Sequence, residues 1–190
     1  LWLGGKERAA MEAILRAIAT LQERLEQMVD FTRPLELKPQ PVGVEALIES
    51  ATQEVAQQCD ERHIRVVTEI PEDVSGLKGD PDRLKEALLQ ILINSIEAMP
   101  DGGTITVMAR MQAGRKGVRI EVRDTGGGVA SEHVKEVGRP FFTMKAAGVG
   151  LGVAIARRIL AAHGGSFEFH STEGKGSTAT MTLPATPRRG

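Results

Sequence analysis

The chain has 190 residues, enough for one compact domain and a smaller element. Its 24 Lys and Arg nearly cancel 25 Asp and Glu, which excludes a global charge signature for nucleic acid or a membrane surface. No apolar run approaches the ~20 residues of a membrane span, and the single cysteine, Cys59, excludes an internal disulfide framework and suits a reducing compartment.

Residues 6–33 read as a long helix in which Met11, Ile14, Ile18, Leu21, Leu25 and Met28 recur at alternating steps of three and four. That seam suits a helix that pairs with other helices, in a bundle or a dimer; the plainer alternative is an amphipathic helix lying on its own domain. Pro34, Pro39 and Pro41 end it in a linker. A second helix starts at Val44, with Leu47, Ile48, Ala51 and Val55 on one face, and His63–Ile70 alternates as a strand. Asp80-Pro81 supplies an N-cap and a first-turn proline. The helix it opens carries Leu84, Leu88, Ile91, Leu92 and Ser95 on one side, and Pro100-Asp101-Gly102-Gly103 closes it.

Strands follow at Thr104–Arg110 and Val118–Arg123, joined by Gly114-Arg115-Lys116-Gly117. A helix is expected from about Val149 to His163, then strands at Ser166–Ser171 and Ser177–Leu183 around Glu173-Gly174-Lys175-Gly176. Strand pairs with short turns imply antiparallel neighbours. The expected class is α+β: a two-layer α/β sandwich, with a mixed sheet covered by helices on one face and a long helix in front.

Two glycine clusters stand out. Asp124-Thr125-Gly126-Gly127-Gly128-Val129 follows a strand directly, and Gly148-Val149-Gly150-Leu151-Gly152 precedes a helix directly. Glycine lets backbone approach a ligand closely, and a helix N-terminus offers free N–H groups and positive dipole to a phosphate. Two plain surface loops are the alternative for either cluster alone. Gly174-Lys175-Gly176-Ser177 lacks the core of a P-loop, and the second cluster lacks dinucleotide-fold spacing.

Taken together, QILINSIEA (90–98), VRDTGGGV (122–129), RPFFTMK (139–145), GVGLGVAIARRILAAHGG (148–165) and GKGSTATMTLP (174–184) come in a telling order. They resemble the N box, first glycine box, F box, second glycine box and last hairpin of the catalytic ATP-binding domain of sensor histidine kinases. That domain belongs to the wider gyrase, Hsp90, histidine kinase and MutL superfamily, and its fold is of the Bergerat type. The resemblance covers roughly Val42 to Pro184. The helix at 6–33 with its FTRPLEL exit resembles the second helix of the dimerisation and phosphotransfer hairpin. The compact F box and short lid look most like nitrogen-regulation-type kinases.

The resemblance implies roles. Asp124 would accept a hydrogen bond from the adenine amine, with Gly126 and Gly128 letting the chain pass close to the base. Asn94 would give its oxygen to Mg²⁺, and Lys145 would meet the β- and γ-phosphates. Gly148, Gly150 and Gly152 would form the lid hinge and the helix N-terminus under the phosphates. Val129, Thr143 and Leu151 are further nucleotide-binding candidates, Ser177 would reach adenine through water, and Phe141 and Phe142 would pack to anchor the lid. Val149 stands where many relatives carry Thr or Ser, and Glu97 where some carry a phosphate-binding Lys.

In the superfamily's hydrolysing branches a Glu precedes the Mg²⁺-binding Asn by four positions. Gln90 stands there, and an amide accepts no proton at neutral pH, so a general base for hydrolysis is missing from this helix. Delivery of the phosphoryl group to another nucleophile is therefore expected. Of the four histidines, His63, His133, His163 and His170, none has the His-Glu/Asp-hydrophobic-Arg/Lys setting of the family's acceptor, which is expected upstream of Leu1. Cys59 and His63 on one face do not make a zinc site.

The expected organisation is residues 1–38 as part of the dimerisation and phosphotransfer region with its linker, 39–186 as the catalytic domain, and 187–190 as a tail. The expected function is ATP·Mg²⁺ binding and γ-phosphoryl transfer to a histidine absent from this chain, for relay to a response-regulator aspartate. Expected partners are a second copy through the N-terminal helix region and the cognate response regulator, with no nucleic acid and no membrane contact, in the cytoplasm. The alternatives are an ATP-hydrolysing conformational switch of the same superfamily and a non-catalytic nucleotide-binding or scaffold module.

Overall fold

The computed structural model describes residues 5–74, 76–112, 117–145 and 148–184. It divides into two compact units, Leu1–Pro34 and Leu35–Gly190. The first is a single helix, α1 (Gly5–Thr32). Four of the expected seam residues, Met11, Ile14, Ile18 and Met28, are exposed on it, as are Leu15 and Val29. The side chains of Leu21 and Leu25 lie outside the described residues.

The second unit runs β1 (Gln40–Val42), α2 (Val44–Glu54), α3 (Ala56–Glu61), β2 (Ile64–Glu69), β3 (Leu77–Gly79), α4 (Pro81–Glu97), β4 (Gly103–Met111), β5 (Gly117–Asp124), α5 (Gly152–Ala162), β6 (Ser166–Thr172) and β7 (Gly176–Pro184). The five-stranded sheet has the order β2-β4-β5-β7-β6. The β2–β4 pair is parallel and the other pairs are antiparallel. A parallel pair needs a crossover, and the β2-to-β4 connection carries α4 onto the sheet.

The period of two decides which face is covered. Val118, Ile120 and Val122 of β5 are fully buried with Ile105, Val107 and Ala109 of β4 and Met181 and Leu183 of β7. Arg119, Glu121 and Arg123 alternate to the opposite face. Helices α2, α4 and α5 close the core, α4 packing between the other two through Leu84, Leu88, Ile91, Leu92 and Ile96. This is the expected mixed sheet with helices on one face.

Three local expectations need correction. β1 and β3 form a separate antiparallel pair, with Pro41 opposite Lys78, where the prolines read only as linker. The helix from Val44 breaks at Val55 (φ −98°, ψ 1°) into α2 and α3. Helix α5 starts at Gly152, not Val149, because Gly150 sits at φ +73° and holds the preceding segment outside helical geometry. Of the β4–β5 connection, residues 114–116 lie outside the described residues, as does the tail at 187–190.

One buried polar node ties the domain together. Asp80 caps α4 by accepting from Arg83 N–H at 3.1 Å, and its other oxygen accepts from the backbone of Lys38 at 2.8 Å. Its own N–H donates to His163 Nε2 at 3.0 Å, and His163 Nδ1 lies 2.8 Å from the Ile159 carbonyl. A neutral ring with its proton on Nδ1 satisfies both contacts. Burial raises the Asp80 pKa, but the backbone N–H groups of Lys38, Arg83 and Asp82 outweigh it, so the carboxyl is held below its ordinary value. The linker before β1, the start of α4 and the end of α5 thereby meet at one residue.

Candidate nucleotide site

The C-terminal half of α4 brings the polar groups together. Asn94 and Ser95 are consecutive, so they face different neighbours. Asn94 Oδ1 accepts from Lys145 Nζ at 3.0 Å. Ser95 is buried beside Asp124, and its hydroxyl is among the groups that lower the Asp124 pKa. Its significance escaped the sequence reading, which placed it simply on the core face; a hydroxyl in an otherwise aliphatic row was the available signal.

Asp124 ends β5, is 4% exposed, and accepts from Gly126 N–H at 2.9 Å and Ser177 N–H at 3.1 Å. Both bonds go to Oδ1, which leaves Oδ2 outside that pair. Burial is the largest influence on its pKa and raises it; the bonds from Gly126, Ser177 and Ser95 offset this only in part. A carboxylate held this way, at a strand end beside a glycine loop, is poised to accept from a ligand donor.

The glycine loop is held on two sides. Gly127 N–H donates to the Ala98 carbonyl at the end of α4, and Gly127 O accepts from Gly174 N–H in the β6–β7 turn at 2.7 Å. A Cβ on Gly126 would stand 2.6 Å from Ala98 O, and one on Gly128 (φ +67°) 2.2 Å from Thr172 O. Val129 N–H donates to Ser171 Oγ at 2.8 Å, and Ser171 Oγ lies 3.0 Å from Ser177 Oγ. Ser177 therefore contributes its backbone to Asp124 while its hydroxyl is shared with Ser171.

On the opposite side lies the segment before α5. Thr143 Oγ1 accepts from Lys145 N–H at 3.1 Å and would be 2.7 Å from a Cβ on Gly148. Lys145 Nζ also pairs with Glu97 Oε2 at 2.5 Å. Leu151 is buried and accepts the first helical bond, from Ile155 N–H. Gly152 opens α5 against α4: a Cβ there would be 2.6 Å from Gln90 Oε1. The first turn of α5 carries no acidic residue, so its positive end is left for an outside anion.

One expectation reads differently here. Phe141 does not pack: it is 57% exposed, because a positive φ of 67° and a bond from its N–H to Gly150 O turn it outward. Only Phe142 is half-buried, its ring 6.0 Å from that of His133. Among the described residues no group of three or more His, Cys, Asp and Glu gathers that would hold a metal. What the site offers a cation is the Asn94 oxygen, which already accepts from an ammonium, and oxygen suits a hard ion such as Mg²⁺.

Comparison with known proteins gives the family and the fold. The family model described as "Histidine kinase-, DNA gyrase B-, and HSP90-like ATPase" matches residues 79–187. The chain is 33% identical over 181 residues to the sensor histidine kinase ZraS of Escherichia coli K12, covering 95% of this chain and 38% of that protein. It is 32% identical over 178 residues to the signal transduction histidine-protein kinase AtoS of the same organism, covering 94% and 29%. The chain thus spans less than half the length of these curated relatives. Among solved structures, the catalytic domain of the histidine kinase ThkA matches with a TM-score of 0.71 at 26% identity, over 80% of this chain and 98% of that one. Full-length ShkA in complex with AMPPNP shares the fold, with a TM-score of 0.82 at 24% identity, over 97% of this chain and 40% of that one.

Proposed function

Because the chain belongs to the histidine kinase-, DNA gyrase B- and HSP90-like ATPase family, we propose that it is the catalytic ATP-binding region of a sensor histidine kinase, of the nitrogen-regulation type. The observation that carries this reading is the pair Asn94–Ser95. One turn of α4 sets Ser95 beside Asp124, at the base end, and through Asn94 bonds to Lys145, at the phosphate end. A single rigid helix then sets the distance between the two ends of a nucleotide.

In this reading Asp124 accepts from the exocyclic amine of adenine, the glycine loop at 126–128 lies along the base, and Ser177 fixes the carboxylate. Val129 and Thr143 shape the two walls. Lys145 and the N-terminus of α5, with Gly148, Gly150, Leu151 and Gly152, receive the phosphates. Asn94 Oδ1 would hold Mg²⁺, whose chemistry when bound would be to neutralise phosphate charge. Gln90, lodged against Gly152, orients groups at the phosphate end but abstracts no proton. Phosphoryl transfer depends mainly on positioning and charge neutralisation, so this set suffices to donate to a separate histidine.

None of the four histidines is that acceptor. His163 is buried with both ring nitrogens engaged, His133 lies beside Phe142, and His63 and His170 are exposed on the catalytic unit, outside any helix. The acceptor belongs to a hairpin segment outside these 190 residues. The exposed apolar row of α1 pairs with that hairpin and with a second copy, and the phosphohistidine passes its group to a response regulator on the cytoplasmic side.

With γ-labelled ATP the chain alone should retain no stable label, while a hairpin of the parent kinase supplied in trans should acquire an acid-labile one. Stable label on the chain itself contradicts the assignment of the acceptor. Steady phosphate release abolished by Gln90→Ala would instead favour a hydrolysing switch.

A further inference from the structure

Glu97 is the last residue of α4, where the negative end of the helix dipole disfavours a carboxylate, and the last turn holds no basic residue to offset it. Its partner comes from far along the chain. Lys145 Nζ lies 2.5 Å from Glu97 Oε2 and 3.0 Å from Asn94 Oδ1. Asn94 and Glu97, three positions apart, share one face of the helix, so both oxygens converge on one cationic centre.

We propose that Asn94 Oδ1 and Glu97 Oε2 form a two-oxygen cation seat, filled by the Lys145 ammonium in the nucleotide-free chain and by the nucleotide's divalent cation in the complex. Metal entry and release of Lys145 to the phosphates are then one exchange. The inference rests on the nucleotide-binding reading above and adds Glu97 to it as a second oxygen toward the metal, direct or through a retained water.

The chemistry suits such an exchange. An amide oxygen and a carboxylate oxygen are hard donors, the kind Mg²⁺ takes while keeping several waters. An ammonium is a compact point charge on a flexible stem, able to leave without disturbing the helix. Lys145 and Glu97 are 40% and 45% exposed, so water screens their pair and the ammonium is weakly held. Without metal, Glu97 competes with the phosphates for Lys145 and repels them. With metal, the same carboxylate faces a divalent charge and becomes favourable.

The test is calorimetry of the 190-residue chain with a non-hydrolysable ATP analogue, in Mg²⁺ and in EDTA. Glu97→Gln should tighten metal-free binding about two- to fivefold, the range for a screened pair, and shrink the affinity gain from Mg²⁺ by at least that factor. Glu97→Lys, which places a permanent ammonium in the seat, should nearly abolish the gain. Mn²⁺ titrated into the chain–analogue complex and followed by electron paramagnetic resonance should bind several-fold more weakly to both variants. Their thermal unfolding should match the parent, because Glu97 is exposed. Equal factors with and without metal, or no change in either, overturn the inference while leaving nucleotide binding standing. A parent chain that binds no analogue overturns both.

Discussion

Asp124→Asn is expected to weaken adenine-nucleotide binding by ten- to a hundredfold while leaving the fold as stable as before, or more so. The binding loss follows from geometry. Gly126 and Ser177 both donate to Oδ1, so the asparagine oxygen will settle there and its amide will replace Oδ2. A donor then opposes the amine of adenine where a charged acceptor stood, and a hydrogen bond to a charged group contributes about 1.5–3 kcal/mol. The stability effect has the opposite sign. Burial holds the Asp124 pKa above its ordinary value. A carboxyl with a raised folded pKa stabilises the fold when protonated, below the unfolded value, and that contribution is lost as pH rises through the folded value. At neutral pH the ionised group is thus a cost, which the neutral amide removes. For the same reason nucleotide affinity should fall as pH drops through the raised pKa. Calorimetry across pH, with urea unfolding beside it, reads both; equal loss of stability and affinity would make Asp124 merely structural.

Gly128→Ala should cost about 2–4 kcal/mol of stability and abolish nucleotide binding, while Gly127→Ala, one residue earlier, should be nearly silent in urea unfolding. The two glycines differ sharply. Gly127 has no atom within 4 Å of an added Cβ, whereas at Gly128 a Cβ would meet the Thr172 carbonyl at 2.2 Å from a backbone already at φ +67°. The loop has little room to retreat, because Gly127 is bonded to both Ala98 and Gly174. Relieving the clash means breaking one of those bonds and moving the chain beside Asp124. Equal effects at 127 and 128 would contradict this description of the loop.

The features legible in the sequence are those with a period or a punctuation mark. Alternation in β5 fixed both faces of the sheet, and Asp80-Pro81 marked the start of α4 to the residue. The order of glycine clusters around QILINSIEA pointed to the nucleotide family. What stayed hidden depends on contacts across the chain. The three-residue strands β1 and β3 are too short for a pattern, and Pro41 disguises one of them. Ser95 read only as one more position on the apolar side of α4 until β5 brought Asp124 beside it. Glu97 looked like an absent lysine; only the approach of residue 145 shows that it holds one. Phe141 was expected to pack because the resemblance implied a lid anchor there, and a backbone bond to Gly150 decides otherwise.

The most direct measurement is calorimetric titration of the chain in Mg²⁺ with non-hydrolysable analogues of ATP and of GTP. A carboxylate that accepts from an adenine amine meets a carbonyl in guanine, so the buried acceptor would be left facing an acceptor. The expected result is one ATP-analogue site per chain, with the GTP analogue bound at least about tenfold more weakly. Equal affinity for the two, or no binding of either, would contradict the assignment of Asp124 and the nucleotide site built around it.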